Sequence, residues 1–116
     1  MIQVDYYHFE DGTNPIDPYL DTLEPKKKAK MLRTISLLKE FGTSLREPYS
    51  KPMGDGIFEL RSKQGNQIDR VMYFFFYNGQ AILTNGYTKK QPKTPKAEIE
   101  LAKQRRDDFL RRHQNG

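Results

Sequence analysis

Cysteine is absent from the 116-residue sequence, and histidine occurs only at positions 8 and 113. The lack of cysteine excludes disulfides and thiolate metal sites and fits a reducing compartment. The two histidines show no HxxxH or HExxH spacing, and the sequence has no GxGxxG or P-loop. We therefore predict that the protein uses no metal and no other cofactor.

Long apolar runs are also missing. The longest, around Val71–Tyr77, has the length of a strand and falls far short of the roughly 20 residues of a membrane helix. The opening residues, MIQVDYYHFEDG, lack the basic start and apolar core of a secretory signal. We expect a cytoplasmic protein with no membrane partner, and the chain length predicts a single domain over residues 1–116.

The net charge is +5, and the charges are unevenly distributed. Residues 1–24 carry six acids and no lysine or arginine, whereas residues 25–88 carry 11 bases and five acids. Residues 89–116 carry nine bases and four acids. A basic body of this kind attracts polyanions, of which nucleic acid is the commonest in the cytoplasm. Solvated surface lysines would give the same count, so charge alone leaves both interpretations open.

Residue periodicity and turn residues predict an α+β fold. The predicted elements, in order, are a strand Ile2–Phe9, helices Pro15–Leu23 and Pro25–Phe41, a loop Thr43–Asp55, strands Gly56–Ser62, Ile68–Tyr77 and Gln80–Tyr87, and a helix Pro95–Arg112. The dipeptide Asn78-Gly79 is a strong hairpin signal between the last two strands. The helical pair should cover one face of an antiparallel three-strand meander and leave the other face partly open as a working surface.

The apolar stripe of the second helix and the central strand supply most of the predicted core. The helix presents Met31, Leu32, Ile35, Leu38 and, further round, Leu37 and Phe41. The strand Ile68–Tyr77 is apolar on both faces, which predicts a central position in the sheet. Asp69, near the start of this strand, is interpreted as a surface charge at a strand end.

Cations are predicted to gather at one edge of the sheet. Because neighbouring strands run antiparallel, Arg61, Arg70, Lys89 and Lys90 should meet there. Several fixed cations suit a phosphate whose charge grows during a reaction. Ordinary solvation of strand ends explains the same pattern equally well. Tyr87 could stack on a nucleobase, although the pattern favours a core or rim position for it.

Several motifs in fixed order resemble the HigB-like branch, the phage-derived host-inhibition type, of the RelE/ParE toxin superfamily. The resemblance covers nearly the whole chain. The motifs are the Gly-aromatic-Glu-Leu-Arg strand Gly56–Arg61, the strand start Arg70–Phe74, the strand end Gly86–Lys90, the Lys-Thr-Pro of Lys93–Pro95, and the helix with Glu98, Ile99 and Ala102. The sequence departs from that pattern at Tyr87, where phenylalanine is usual, at Ile68-Asp69, where an aromatic is usual, and at Asn85, where histidine is frequent.

The resemblance implies a compact RelE/ParE-like domain that acts as the toxin of a type II toxin–antitoxin system. The implied activity is ribosome-dependent cleavage of mRNA without metal, and the implied partners are the ribosome, mRNA and a helix-turn-helix antitoxin. The catalytic residues it implies are Arg61, Arg70, Lys89 and Lys90, and the RNA-binding residues are Lys93, Tyr87, Lys26, Lys27, Lys28, Arg105 and Arg106.

Two other functions stay open for a chain of this kind, because one fold hosts several activities. The first is a related toxin that acts on another target, such as DNA gyrase. The second is a catalytically inactive relative that binds nucleic acid or protein. A translation defect, a DNA topology defect, or binding without cleavage would distinguish the three.

Overall fold

The computed structural model describes residues 1–77 and 79–113. Its elements are β1 (Gln3–Tyr6), α1 (Ile16–Asp21), α2 (Pro25–Phe41), a short 3-10 turn (Gly42–Ser44), β2 (Ser50–Gly54), β3 (Ile57–Gln64), β4 (Gln67–Phe75), β5 (Gln80–Lys89) and α3 (Lys96–His113). The predicted hairpin residue Asn78 lies outside the described residues. Among the helices of the described chain, none has the length and apolar character that crossing a membrane requires.

The five strands form one sheet in the order β1-β5-β4-β3-β2. The chain pairs β2 with β3, β3 with β4 and β4 with β5 in antiparallel fashion, while β1 pairs with β5 in parallel. The predicted α+β class is confirmed, and β4 is the central strand, as its two apolar faces predict. Every residue from Ile68 to Phe74 is buried.

Helix α2 has the bounds predicted from the sequence. Pro25 occupies its first turn, and Gly42 ends it with a φ of 54°, a conformation that favours glycine. The buried stripe consists of Met31, Thr34, Ile35 and Leu38 and is narrower than predicted. Leu32 and Phe41 were expected in the stripe but are exposed, because they lie on the flanks of the helix.

Strand β2 was not predicted, since residues 43–55 contain two prolines and a glycine and were interpreted as loop. The structure pairs Ser50 with Leu60, Lys51 with Glu59 and Pro52 with Phe58. Proline cannot donate a hydrogen bond to the ladder but is tolerated on an edge strand. The register shifts between Pro52 and Gly54, where the strand ends.

Both faces of the sheet are covered by helices, so the expectation of a partly open second face is wrong. Leu60, Val71, Tyr73 and Leu83 pack against α1 and α2 on one face. The opposite face carries Ile57, Met72, Phe74, Ile82 and Tyr87, packed against Ala102 and Phe109 of α3. The apolar residues of α3 are few, but they are enough to cover this face.

Gly86 allows α1 to approach β5 closely. A Cβ atom built at Gly86 would lie 2.3 Å from Cδ2 of Tyr19, whose hydroxyl donates to the carbonyl of Tyr87 at 3.0 Å. We expect Gly86→Ala to lower the free energy of unfolding by about 1–3 kcal/mol, the usual cost of overpacking. Gly79→Ala, which meets no atom within 4 Å, is the control in urea denaturation. Equal midpoints for the two variants would contradict this packing.

Candidate functional site

Arg61 and Arg70 lie directly opposite each other on β3 and β4. Nε of Arg61 is 2.5 Å from Oε1 of Glu59, and Nε of Arg70 is 3.6 Å from the same oxygen. The predicted proximity of the two arginines is therefore confirmed, since both guanidinium groups converge on one carboxylate.

Glu59 is the centre of this arrangement and was not among the predicted site residues. Its side chain is fully buried, and Oε2 accepts hydrogen bonds from the hydroxyls of Tyr87, at 3.1 Å, and Thr94. We call Glu59, Arg61, Arg70, Tyr87 and Thr94 the Glu59 cluster. Two signals in the sequence point to Glu59: strand alternation places it on the same face as Arg61, and it is the glutamate of the Gly-aromatic-Glu-Leu-Arg motif.

The backbone of residues 90–94, here called the 90–94 segment, covers the Glu59 cluster. Nη2 of Arg70 donates to the carbonyl of Gln91, and Nη2 of Arg61 donates to the carbonyl of Pro92 at 2.5 Å. The Arg70 side chain is 0 % exposed, whereas that of Arg61 is 20 % exposed. Nη1 of Arg70 makes no hydrogen bond within the described residues, and Nε makes only the 3.6 Å ion pair with Glu59. A buried donor without a partner is costly, and Nη1 is therefore suited to an anion.

Tyr87 contributes to the cluster from β5. The residue is 8 % exposed, and the guanidinium carbon of Arg70 lies 5.2 Å from the centroid of its ring. Burial raises the pKa of its phenol above the ordinary value. The ring was proposed to stack on RNA, but in this conformation it packs inside the protein, as the residue pattern had favoured.

The three predicted lysines around the 90–94 segment are all exposed. Lys89 pairs in the sheet with Ile68, which is two residues before Arg70, and Lys90 is the next residue after Lys89. Lys93 lines a cavity of 470 Å³ together with Arg61 and Lys51. The structure therefore brings Lys93 beside Arg61, while Lys89 and Lys90 lie at the end of β5 and make no ion pair within the described residues.

Two of the three predicted lysines of α2 are held by neighbouring groups. Nζ of Lys27 donates to the side chain of Gln67 at the start of β4, and Lys28 forms an ion pair of 2.9 Å with Asp21. Lys26 is exposed. The contact with Gln67 places the beginning of α2 near the β3–β4 turn. Arg61 and Arg70 lie in the halves of β3 and β4 that are nearest to this turn.

The two predicted arginines of α3 are engaged away from the Glu59 cluster. Nη1 of Arg105 donates to the carbonyl of Thr84 at 2.7 Å, and its guanidinium carbon lies 5.2 Å from the ring centroid of Phe9. Burial lowers the pKa of Arg105. Arg106 binds the carbonyl and carboxylate of Asp55, before the start of β3. The structure does not join these arginines to Arg61 and Arg70.

Asp69 is buried, so its interpretation as a surface charge is wrong. It is 1 % exposed, and Oδ1 accepts a hydrogen bond of 2.7 Å from the hydroxyl of Thr88. Tyr19, whose pKa burial raises to about 12, reaches the same hydroxyl at 2.9 Å. Asn85 is also buried and bonds the carbonyl of Glu98 at 3.3 Å, which ties β5 to α3.

The two histidines, far apart in sequence, line one cavity of 400 Å³ with Asp5. Nδ1 of His8 lies 2.8 Å from the carbonyl of Tyr6, and Nδ1 of His113 lies 2.8 Å from that of Phe109. Within residues 1–77 and 79–113, no three His, Cys, Asp or Glu side chains are grouped closely enough to hold a metal ion.

Comparison with known proteins identifies the family. No curated protein matches the chain. The family model described as "Phage derived protein Gp49-like (DUF891)" matches residues 18–107, which are 90 of the 116 residues. The match includes every member of the Glu59 cluster and the 90–94 segment. The chain belongs to this family of Gp49-like phage-derived proteins, a toxin-like family.

Proposed function

We propose that the protein is the toxin of a type II toxin–antitoxin system and cleaves mRNA on the ribosome, in the cytoplasm, without a metal ion. The observation that carries this proposal is the convergence of Arg61 and Arg70 on Glu59 beneath the 90–94 segment. The membership of the chain in a toxin-like family supports the same proposal. We also propose that the chain is a HigB-like member of the RelE/ParE toxin superfamily.

The chemistry that suits this site is transesterification within the RNA. The ribose 2′-oxygen attacks the adjacent phosphorus, the bond to the 5′-oxygen breaks, and a 2′,3′-cyclic phosphate and a 5′-hydroxyl result. The proton lost by the 2′-hydroxyl is balanced by the proton that the leaving oxygen gains. Arg61 contacts the phosphate and stabilises its growing charge, because fixed cations in a partly buried site require no reorganisation.

Arg70 and Glu59 have different parts in this proposal. Glu59 is a positioning residue, since it holds the guanidinium group of Arg61 at 2.5 Å. Arg70 reaches the phosphate only when the 90–94 segment moves away from it, because its side chain is fully buried and its Nη2 is bonded to the carbonyl of Gln91. Lys89, Lys90 and Lys93 then follow the RNA backbone, and Lys26, Lys27 and Lys28 face ribosomal RNA.

A translating extract distinguishes the candidate functions. We expect the purified protein to cut mRNA when ribosomes are present and to leave free mRNA intact. Relaxed plasmid DNA incubated with gyrase should become supercoiled at the same rate with or without the protein. Inhibited supercoiling with intact mRNA would favour the gyrase alternative. Ribosome binding without cleavage would favour the inactive relative.

A cognate antitoxin is expected as the partner, because the exposed Lys89, Lys90 and Lys93 would bind cellular RNA without selectivity. We expect a small helix-turn-helix protein encoded beside this chain to copurify with it and to restore growth. An acidic or amphipathic segment of that protein would cover the 90–94 segment or the α1–α2 face. Absence of any neighbour that binds and restores growth would contradict the toxin assignment.

A further inference from the structure

A second cavity, of 320 Å³, lies on the opposite side of Arg61 from the 470 Å³ cavity that Lys93 lines. It is enclosed by α2, the residues before β2, and the end of β3. The residues that line it are Lys30, Thr34, Glu47, Pro48, Tyr49, Arg61, Ser62, Lys63 and Ile68. Its volume is at the lower end of the about 300–1,000 Å³ of small-molecule sites. It therefore has room for one nucleotide.

The residues that line this cavity suit a ligand that has an anionic group and a flat apolar group. Lys30 and Lys63 bring two positive charges to it, whereas the guanidinium group of Arg61, which also lines it, is bound to Glu59 and the carbonyl of Pro92. Glu47 is the one acid among the described residues that line it. The side chain of Lys30 crosses from α2 to the carbonyl of Lys63 and so fixes one wall. The net positive charge matches a phosphate, which carries much of the affinity for nucleic acids.

Tyr49 gives the cavity an aromatic surface. The residue is 44 % exposed, and its carbonyl accepts a 2.9 Å hydrogen bond from the backbone N–H of Arg61. The backbone of Tyr49 is therefore fixed beside the residue to which we assign the phosphate, and Tyr49 lines the same cavity. A half-exposed ring next to cations is the usual platform for an unstacked nucleobase.

A polar group without a partner completes the site. Ser62 lines the cavity and is 3 % exposed, and its hydroxyl makes no hydrogen bond within the described residues. Buried hydroxyls are almost always paired. An unpaired hydroxyl in the wall of a cavity is suited to the polar edge of a ligand.

We propose that this cavity, here called the Tyr49 pocket, binds one unstacked nucleotide of single-stranded RNA next to the phosphate held by Arg61. Tyr49 stacks on its base, and Lys30 and Lys63 bind its phosphate. This inference rests on the proposed function, because the RNA that it accommodates is the substrate strand. It adds Tyr49, Lys30 and Lys63 to the residues that select and hold that strand.

Fluorescence anisotropy with a labelled, fully 2′-O-methylated RNA hexamer tests the pocket without cleavage. We expect Tyr49→Ala to weaken binding about 5- to 100-fold, the range for the loss of one base–aromatic stack. Tyr49→Phe should bind like the parent. Phe41→Ala is the matched control, because Phe41 is a 49 % exposed aromatic at the opposite end of α2. Lys63→Ala should reduce the slope of log affinity against log salt by roughly 0.7.

Two results would overturn the pocket. The first is equal binding of the hexamer by Tyr49→Ala and Phe41→Ala. The second is that Tyr49→Ala weakens the binding of a blunt RNA duplex as much as that of the single strand, because paired bases cannot enter the pocket. Failure of the proposed function gives a different outcome. Hexamer binding would then depend on Tyr49 as expected, while mRNA on ribosomes stayed intact in the parent protein.

Discussion

Replacement of Arg61 by alanine is expected to reduce ribosome-dependent mRNA cleavage about 10- to 100-fold and to relieve growth arrest. The variant loses a charge-assisted hydrogen bond to the phosphate, a contact worth about 1.5–3 kcal/mol. Arg61→Lys should recover only part of the rate, since a lysine lacks the forked donor geometry. The fold should persist, because Arg70 remains as a counter-ion for the buried Glu59 in this variant.

Lys39→Ala is the charge-matched control for this prediction. Lys39 is an exposed residue in the last turn of α2, and its carbonyl accepts a hydrogen bond from the N–H of Ile2, so the side chain is not required for that contact. We expect growth arrest and cleavage in Lys39→Ala to equal those of the parent at equal expression. Cleavage by Arg61→Ala at the parental rate would show that Arg61 does not contact the reacting phosphate.

Replacement of Glu59 by glutamine is expected to lower the free energy of unfolding by about 3–5 kcal/mol, the cost of breaking a buried ion pair by removing one partner. Two guanidinium groups would lose their shared counter-ion, and that of Arg70 is fully buried. Glutamine keeps the shape of the side chain, so the loss reports on charge. Urea denaturation followed by far-UV circular dichroism measures it.

Two further variants separate the charge effect from a general weakness of the core. Glu40→Gln removes an exposed carboxylate of α2 and should change the unfolding free energy by less than about 0.5 kcal/mol. Adding Arg70→Met to Glu59→Gln should recover part of the lost stability, because the uncompensated buried charge is removed as well. Equal stabilities of Glu59→Gln and Glu40→Gln would mean that the carboxylate does not organise the cluster.

Most of the fold could be predicted because its elements carry strong local signals. Helix α2 begins at a proline and ends at a glycine, and β4 carries apolar residues on both faces. Strand β2 could not be predicted, since its pairing with β3 depends on an edge position that Pro52 tolerates. The burial of Asp69 was also beyond prediction, because it depends on Thr88 and Tyr19, which come from distant parts of the chain.

The proximity of Arg61 and Arg70 was predicted, but their burial was not. Chain order indicates that the end of one strand lies beside the start of the next in an antiparallel meander, and the structure pairs Arg61 with Arg70. The path of the 90–94 segment has no periodic signal, so the sequence could not show that its carbonyls cover both arginines. For the same reason Tyr49, which follows a loop, was not linked with Arg61.

The central claim is that the protein promotes attack by a ribose 2′-hydroxyl on the adjacent phosphate. Its most direct test is a ribosome-bound mRNA, first mapped for its main cleavage position and then carrying one 2′-deoxynucleotide there. We predict a 2′,3′-cyclic phosphate on the 5′ fragment of the all-ribose mRNA and loss of cleavage at the deoxy position. Undiminished cleavage at the deoxy position would contradict the account, since no 2′-oxygen would be available to attack.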